Sequence, residues 1–211
     1  MKRNSKVVAL VLAMVLLVVV SVAGTYAYLT SKTNAVKNTF TVGNVAITLD
    51  EAKVDENGVE VVPEARVTAN EYHLIPGRSY DKDPTVHVLA GSEDCWVFVQ
   101  VQVTDSVDLE ALLEADAVTA EVITGLDLSK WSVVSNTLDG TVRTYVFAHN
   151  AKASAGQDLV LFTGLKVPTG ITGEQLDTIA DLTIEVKAFA IQADGFASWT
   201  NVPATEIKFA E

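Results

Sequence analysis

The sequence predicts an all-β protein: a jelly-roll-like antiparallel β-sandwich with two short connecting helices, preceded by an N-terminal signal peptide. Three observations predict it. Residues alternate with period two in segments such as Val97, Val99, Val101 and Val103 against Trp96, Phe98, Gln100 and Gln102. Turn signals at Asn57-Gly58, Pro76-Gly77 and Asp139-Gly140 punctuate these segments. A charge-free run from Val7 to Ala23 follows the positive residues Lys2, Arg3 and Lys6.

That leading run reads as an address rather than as part of the fold. Small residues follow it at Gly24, Thr25 and Ala27, so the expected cut lies between Ala27 and Tyr28, with Thr25 at −3 and Ala27 at −1. The rival reading is an uncleaved anchor. As a helix the 17 uncharged residues reach about 25 Å at ~1.5 Å each, the lower limit for a bilayer. No cysteine near residue 27 offers a lipoprotein anchor, and residues 207–211 carry neither a hydrophobic tail nor a sorting signal. The expected location is therefore secreted, in an extracellular matrix or at the cell surface, with membrane contact only through the uncleaved leader. Residues 28–211 are expected to form one domain, because no flexible linker, internal repeat or low-complexity stretch divides them.

After the leader the strand signals run in order. Phe40, Val42, Val45, Ile47 and Leu49 alternate with polar residues, with a parity slip at Gly43-Asn44 that predicts a β-bulge. The pair Pro76-Gly77 fits positions i+1 and i+2 of a type II turn, and a strand follows over Thr85 to Leu89. Trp96 to Val103 predicts a strand buried on one face and half-wet on the other. Trp131 to Ser135 and Thr141 to Ala148 predict a hairpin around Asp139-Gly140, its loop slightly longer than the tightest type. Asp158 to Val167 and Leu182 to Ala193 complete a count of seven to ten strands, which argues for a sandwich or jelly roll.

Two helices interrupt this pattern. Asp108 to Ala117 places Leu109, Leu112 and Leu113 on one face, with Ser106 or Asp108 able to cap the start. Thr172-Gly173-Glu174-Gln175 matches a capping box ahead of Leu176, Ile179 and Ala180.

Charge and chemistry narrow the function. The 211 residues hold 15 bases and 27 acids, a formal charge of −12, and 49% are apolar. Between Asp83 and Asp127 there are ten acids and no Lys or Arg. Such a balance repels nucleic acid and anionic membrane surfaces, so neither is expected as a main partner. The single cysteine, Cys95, excludes an internal disulfide and zinc sites built from several thiolates, and reads as a small buried hydrophobe. There is no His-Glu-x-x-His, no phosphate-cradling glycine loop and no Gly-x-Ser-x-Gly. His73, His87 and His149 stand alone in sequence and read as surface or satisfied core histidines. Asp81-Lys82-Asp83 and Glu93-Asp94 lack calcium-loop spacing and read as solvated turn charges. No catalytic residue, cofactor or metal is expected, and the chain is not expected to be an enzyme.

Removal of 27 residues leaves 184, with 12 bases and 27 acids, a charge of −15. Residues 28–49 carry Lys32 and Lys37 and no acid, while 50–211 carry a net −17. Cleavage thus frees a basic, strand-capable arm ahead of an acidic body. The candidate polymerisation arm, residues 28–40, comprises Tyr28, Leu29, Lys32, Val36, Lys37 and Phe40. Added as a strand to the next subunit's sheet, it would gain main-chain hydrogen bonds and seat Tyr28, Leu29 and Val36 in pockets. A head-to-tail contact of this kind yields a filament, and opposite charge speeds and orients encounter. The rival reading of Ser31 to Asn38 is a frayed polar terminus.

Gly24-Thr25-Tyr26-Ala27-Tyr28-Leu29-Thr30, followed by Asn38-Thr39-Phe40-Thr41-Val42-Gly43-Asn44-Val45, resembles the processing region and first strand of the TasA/camelysin-like family of SipW-dependent exported proteins. Leu74-Ile75-Pro76-Gly77 is similar to the family's L-x-P-G turn, and residues 188–196 to its closing strand; residues 104–180 match only in pattern. The resemblance implies a jelly-roll subunit of extracellular fibres in a Gram-positive biofilm matrix. It also implies a SipW-type signal peptidase as processing partner, and this chain itself, with related matrix proteins, as assembly partners. Camelysins have been classed as secreted metalloproteases, a reading that the missing zinc-binding helix argues against. Two alternatives to the fibre subunit stay open: a monomeric cell-surface adhesin or binding module, and that metalloprotease. The first would remain monomeric after processing; the second requires bound metal.

Overall fold

A computed structural model describes Leu12, Met14, residues 44–113 and residues 122–210. Val42–Glu211 is one compact unit, and its described residues form an all-β antiparallel sandwich with short helices. The strands are β1 (Ile47–Ala52), β2 (Arg66–Val67), β3 (Ser79–Asp81), β4 (Thr85–Val88), β5 (Cys95–Val103), β6 (Ile123–Thr124), β7 (Trp131–Asp139), β8 (Val142–His149), β9 (Asp158–Val160), β10 (Gly164–Lys166) and β11 (Ile184–Gln192). One four-stranded sheet has the order β2-β1-β4-β9, the other β11-β5-β8-β7, and a small sheet has the order β3-β10-β6. Every pairing is antiparallel.

The alternation in the sequence places the core. Val97, Val99, Val101 and Val103 of β5 project one way into a cluster with Val86, Val88, Trp131, Phe147, Leu161 and Phe162. The opposite face of β5 departs from expectation. Trp96 and Phe98 are buried as well, in a second cluster with Ala148, Ala193 and Val202. The chain after β11 folds back across this face, setting Phe196, Trp199, Ile207 and Phe209 against it. Only the far end, Gln100 and Gln102, stays half-exposed as the pattern predicts.

The turn chemistry holds. Arg78 N–H donates to the Ile75 carbonyl at 3.1 Å and Gly77 has φ +77°, the left-handed residue that a type II turn requires. The loop of the β7–β8 hairpin is tighter than expected: Asp139 pairs with Val142, leaving two residues, Gly140 and Thr141, because β7 continues through Thr137 and Leu138. The predicted strand from Asp158 to Val167 is two strands. Leu161 and Phe162 are consecutive and both fully buried in the same cluster, whereas neighbours in one pleated strand point to opposite faces. The chain breaks there and changes sheets, β9 pairing with β4 and β10 with β3 and β6.

Helix α1 (Ser106–Leu113) buries Leu109 and Leu113 as its spacing predicts; residues 114–117 of the expected helix lie outside the described residues. Ser106 does not cap it. Its hydroxyl donates to the Thr141 carbonyl at 2.9 Å, tying the helix start to the hairpin, while the Asp105 carbonyl accepts from Leu109 N–H. Helix α2 (Gly173–Leu176) has the expected capping box, with Thr172 Oγ1 accepting from Gln175 N–H and Gln175 Oε1 accepting from Thr172 N–H. The parity slip at Gly43-Asn44 falls at the limit of the described residues, and the regular strand starts at Ile47.

Candidate functional site

The signal-cleavage residues Thr25, Ala27 and Tyr28 and the arm residues Tyr28, Leu29, Lys32, Val36, Lys37 and Phe40 lie outside the described residues. What the described residues present is sheet edges whose outer sides carry no further strand among those residues.

One such place is the side of the sandwich between β1 and β11. From Ile47 to Asp50, β1 pairs with β4 along one edge; its opposite edge meets β2 only at Glu51 and Ala52, because β2 is two residues long. Among the described residues, strand β11 pairs with β5 alone. The two edges flank a cleft of about 430 Å³ lined by Leu49, Asp50, Glu51, Ile184, Glu185 and Val186 among others. Val45, Ile47, Leu49, Ile184 and Val186 pack on the core but are only partly buried. Unpaired edge groups and partly exposed apolar side chains thus meet at this cleft.

A polar network braces the cleft. Arg66 Nε donates to Asp50 Oδ1 at 2.7 Å and Arg66 Nη1 to Asp83 Oδ2 at 2.5 Å, so β2 is clamped to β1 and to the β3–β4 connection. Burial disfavours the charged guanidinium, but hydrogen bonds to Asp83 and Asp50 and their charges outweigh this and hold its pKa above the usual value. As imidazolium, His87 donates Nε2–H to Asp50 at 2.9 Å and Nδ1–H to Asp158 at 2.6 Å, joining β1, β4 and β9 across the sheet. Partial burial opposes its charge; the hydrogen bonds to the two carboxylates prevail and raise its pKa. Burial pushes Asp50 upward, and the His87 and Arg66 contacts reverse this and lower it. Beneath them Lys82 Nζ donates to Glu51 Oε2, with both side chains buried. Asn70 Nδ2 satisfies Glu51 Oε1 at 2.9 Å, and the Tyr72 ring lies 5.7 Å from the ammonium. Asp81-Lys82-Asp83 is therefore not a run of solvated turn charges. Lys82 and Asp83 are inward anchors, because the loop turns them beneath β1 and β2.

Strand β7 carries exposed apolar residues of its own. It pairs with β8 on one side, and Val133, Val134 and Leu138 are exposed at 51%, 39% and 46%. Beside it a groove of about 560 Å³ is lined by Ile123, Leu126, Leu128, Val133 and Phe147 among others.

Elsewhere the chemistry is structural. Among the described residues no three His, Cys, Asp or Glu side chains converge to hold a metal. Both ring nitrogens of His87 are committed to carboxylates, and His149 packs edge-on against Trp131 with centroids 5.1 Å apart. Cys95 is fully buried and free; burial pushes its thiol up to about 11, which makes it a poor nucleophile. Among the described residues no helix is long and apolar enough to cross a membrane. No protein-family model matches the chain, and a search of curated proteins finds no match.

Sequence reading missed the Asp50–Arg66–Asp83–His87–Asp158 network altogether. Its members come from four separate segments, and the one available signal, a histidine in the middle of a strand, names no partner.

Proposed function

We propose that the chain is a secreted structural subunit of extracellular biofilm-matrix fibres, of the kind found in TasA/camelysin-like, SipW-processed proteins. Subunits join head-to-tail when the N-terminal arm, freed by cleavage after Ala27, adds as a strand to the next subunit. The observation that carries this reading is the side of the sandwich where, among the described residues, no strand covers the edges of β1 and β11, which flank a cleft with partly exposed apolar walls. Sheet edges left without a strand among the described residues, together with a strand-capable leading segment, support strand donation between subunits. Around the cleft the carboxylates of Asp50, Glu51 and Glu185 already have cationic partners. Attraction of the arm's Lys32 and Lys37 therefore comes from the net −17 of residues 50–211 as a whole, and acts on encounter.

Protein beginning at Tyr28 is expected to form fibres by electron microscopy and light scattering, and protein beginning at Phe40 to remain dispersed. Added salt slows the growth. Identical fibres from both proteins would refute strand donation; dispersed molecules from both would favour the monomeric adhesin.

A further inference from the structure

We infer that Lys82, Asn70 and Glu51 form a site of covalent self-crosslinking, in which the Lys82 amine displaces ammonia from the Asn70 carboxamide and Glu51 carries the protons. The product is an amide bond between two side chains. It ties the segment after β2 to the connection between β3 and β4.

Three observations carry this. First, one carboxylate holds both reactants. Lys82 Nζ donates to Glu51 Oε2, and Asn70 Nδ2 donates to Glu51 Oε1 at 2.9 Å. Amine and amide thus sit on the two oxygens of a single group. A general acid–base must stand there to take a proton from the nucleophile and give one to the leaving nitrogen. Second, the Asn70 amide is fixed and polarised. Its Nδ2 also donates to the Ala52 carbonyl at 2.8 Å, and its Oδ1 accepts from Val54 N–H at 3.0 Å. The Val54 N–H therefore already stands at the oxygen on which negative charge builds when a nucleophile adds to Cγ. An amide that only braced β1 would need these two backbone bonds and not the carboxylate. Third, the amine is withdrawn from water. Lys82 and Glu51 are both buried, with the Tyr72 ring 5.7 Å from Nζ. Moving one proton along their hydrogen bond removes two charges at once, which costs less in such a place than in water.

The reaction balances within these residues. Nζ passes one proton to Glu51 and, as a neutral amine, adds to Asn70 Cγ, while the carbonyl electron pair moves onto Oδ1. Glu51 then protonates Nδ2 and takes the second proton from Nζ. The Cγ–Nδ2 bond breaks as the carbonyl re-forms. This leaves a secondary amide, a protonated Glu51 and one ammonia, with no oxidant, reductant or co-reactant. The cleft beside β1 is lined by Glu51, Asn70 and Lys82, and gives the ammonia a way out. Folding delivers the ion pair, and the amide forms from it afterwards. Reactants held side by side replace an encounter in solution, which is the source of the rate. Because both ends of the bond lie at that cleft, it stiffens the cleft wall whatever the cleft receives, and it does not depend on head-to-tail assembly.

The experiment is mass spectrometry of the full chain, kept soluble in mild detergent and incubated after purification. The intact mass is expected to fall by one ammonia below that of the sequence, and a digest to contain a branched peptide joining Lys82 to Asn70. Lys82→Arg keeps the positive charge and is expected to keep the full mass. Glu51→Gln is expected to slow the loss about a hundredfold, with near-ultraviolet circular dichroism reporting that the fold is kept. The branched peptide of the unaltered chain decides the matter if either variant fails to fold. An unchanged mass without a branched peptide would overturn the inference, as would loss at the unaltered rate in Glu51→Gln. So would a linkage of Lys82 to Glu51 with loss of water. Ammonia loss that persists in Lys82→Arg would overturn it too, by placing the loss at Asn57-Gly58 as a succinimide.

Discussion

Glu51 and Lys82 form an ion pair inside the protein, 6% and 7% exposed, under the wall of the β1–β11 cleft. Two desolvated charges are kept there because each has further partners, Asn70 for the carboxylate and the Tyr72 ring for the ammonium. Removing one member leaves the other buried and uncompensated, which costs about 3–5 kcal/mol. Lys82→Met is therefore expected to lower the urea midpoint strongly, and the double change Glu51→Leu with Lys82→Met to recover most of the loss. A double variant as unstable as the single one would mean that packing, not the stranded carboxylate, sets the cost.

The His87 clasp makes stability depend on pH in a direction that can be worked out. Its pKa is raised above the ordinary 6.5 by Asp50 and Asp158, so its contribution is fully present below about pH 6.5 and is lost as pH rises through the folded value. Asp50 is lowered below 3.8 by His87 and Arg66, so its contribution is present above that pH and is lost on acidification. Stability from this cluster is therefore greatest between these limits. Denaturation at pH 5.5 and pH 8.5 is expected to give a higher midpoint at the lower pH, with His87→Gln reducing the difference. The groups facing the ring are Asp50 and Asp158, with Arg66 behind Asp50.

Gly58 is expected to tolerate no side chain. Its φ is +72°, and a Cβ there would stand 2.2 Å from Cδ1 of the buried Tyr80 ring. That ring is anchored: its hydroxyl donates to the His73 carbonyl and accepts from Ile75 N–H, both at 2.7 Å. Strain at positive φ combined with displacement of a held aromatic gives an expected loss of about 2–4 kcal/mol for Gly58→Ala. The control is Gly91→Ala, also at positive φ but with open space around it; thermal unfolding should separate the two by several degrees.

Local elements were legible in the chain because their causes are local. The Pro76-Gly77 turn, the Thr172–Gln175 capping box and the β7–β8 hairpin each follow from residues within a few positions of one another. Strand breaks were harder. The run from Asp158 to Val167 reads as one strand until it is known that its first part pairs with β4 and its last with β3 and β6, which depends on where two different sheets stand. The ion network was illegible for a related reason: Asp50, Arg66, Asp83, His87 and Asp158 are each ordinary in their own neighbourhoods, and their chemistry lies in the meeting.

By itself the sequence determined the β class, the main turns and the separation of a basic leading segment from an acidic body. Alternation, turn residues and charge are properties of short windows. Only the tertiary structure decided that β5 is buried on both faces. The second face is closed by a segment a hundred positions away, where the Trp96 indole N–H donates to the Phe196 carbonyl at 3.2 Å. It also decided which strands stand at the sheet edges, because an edge exists only where no other strand has been placed. That outcome depends on the packing of the whole chain, and no window of residues contains it.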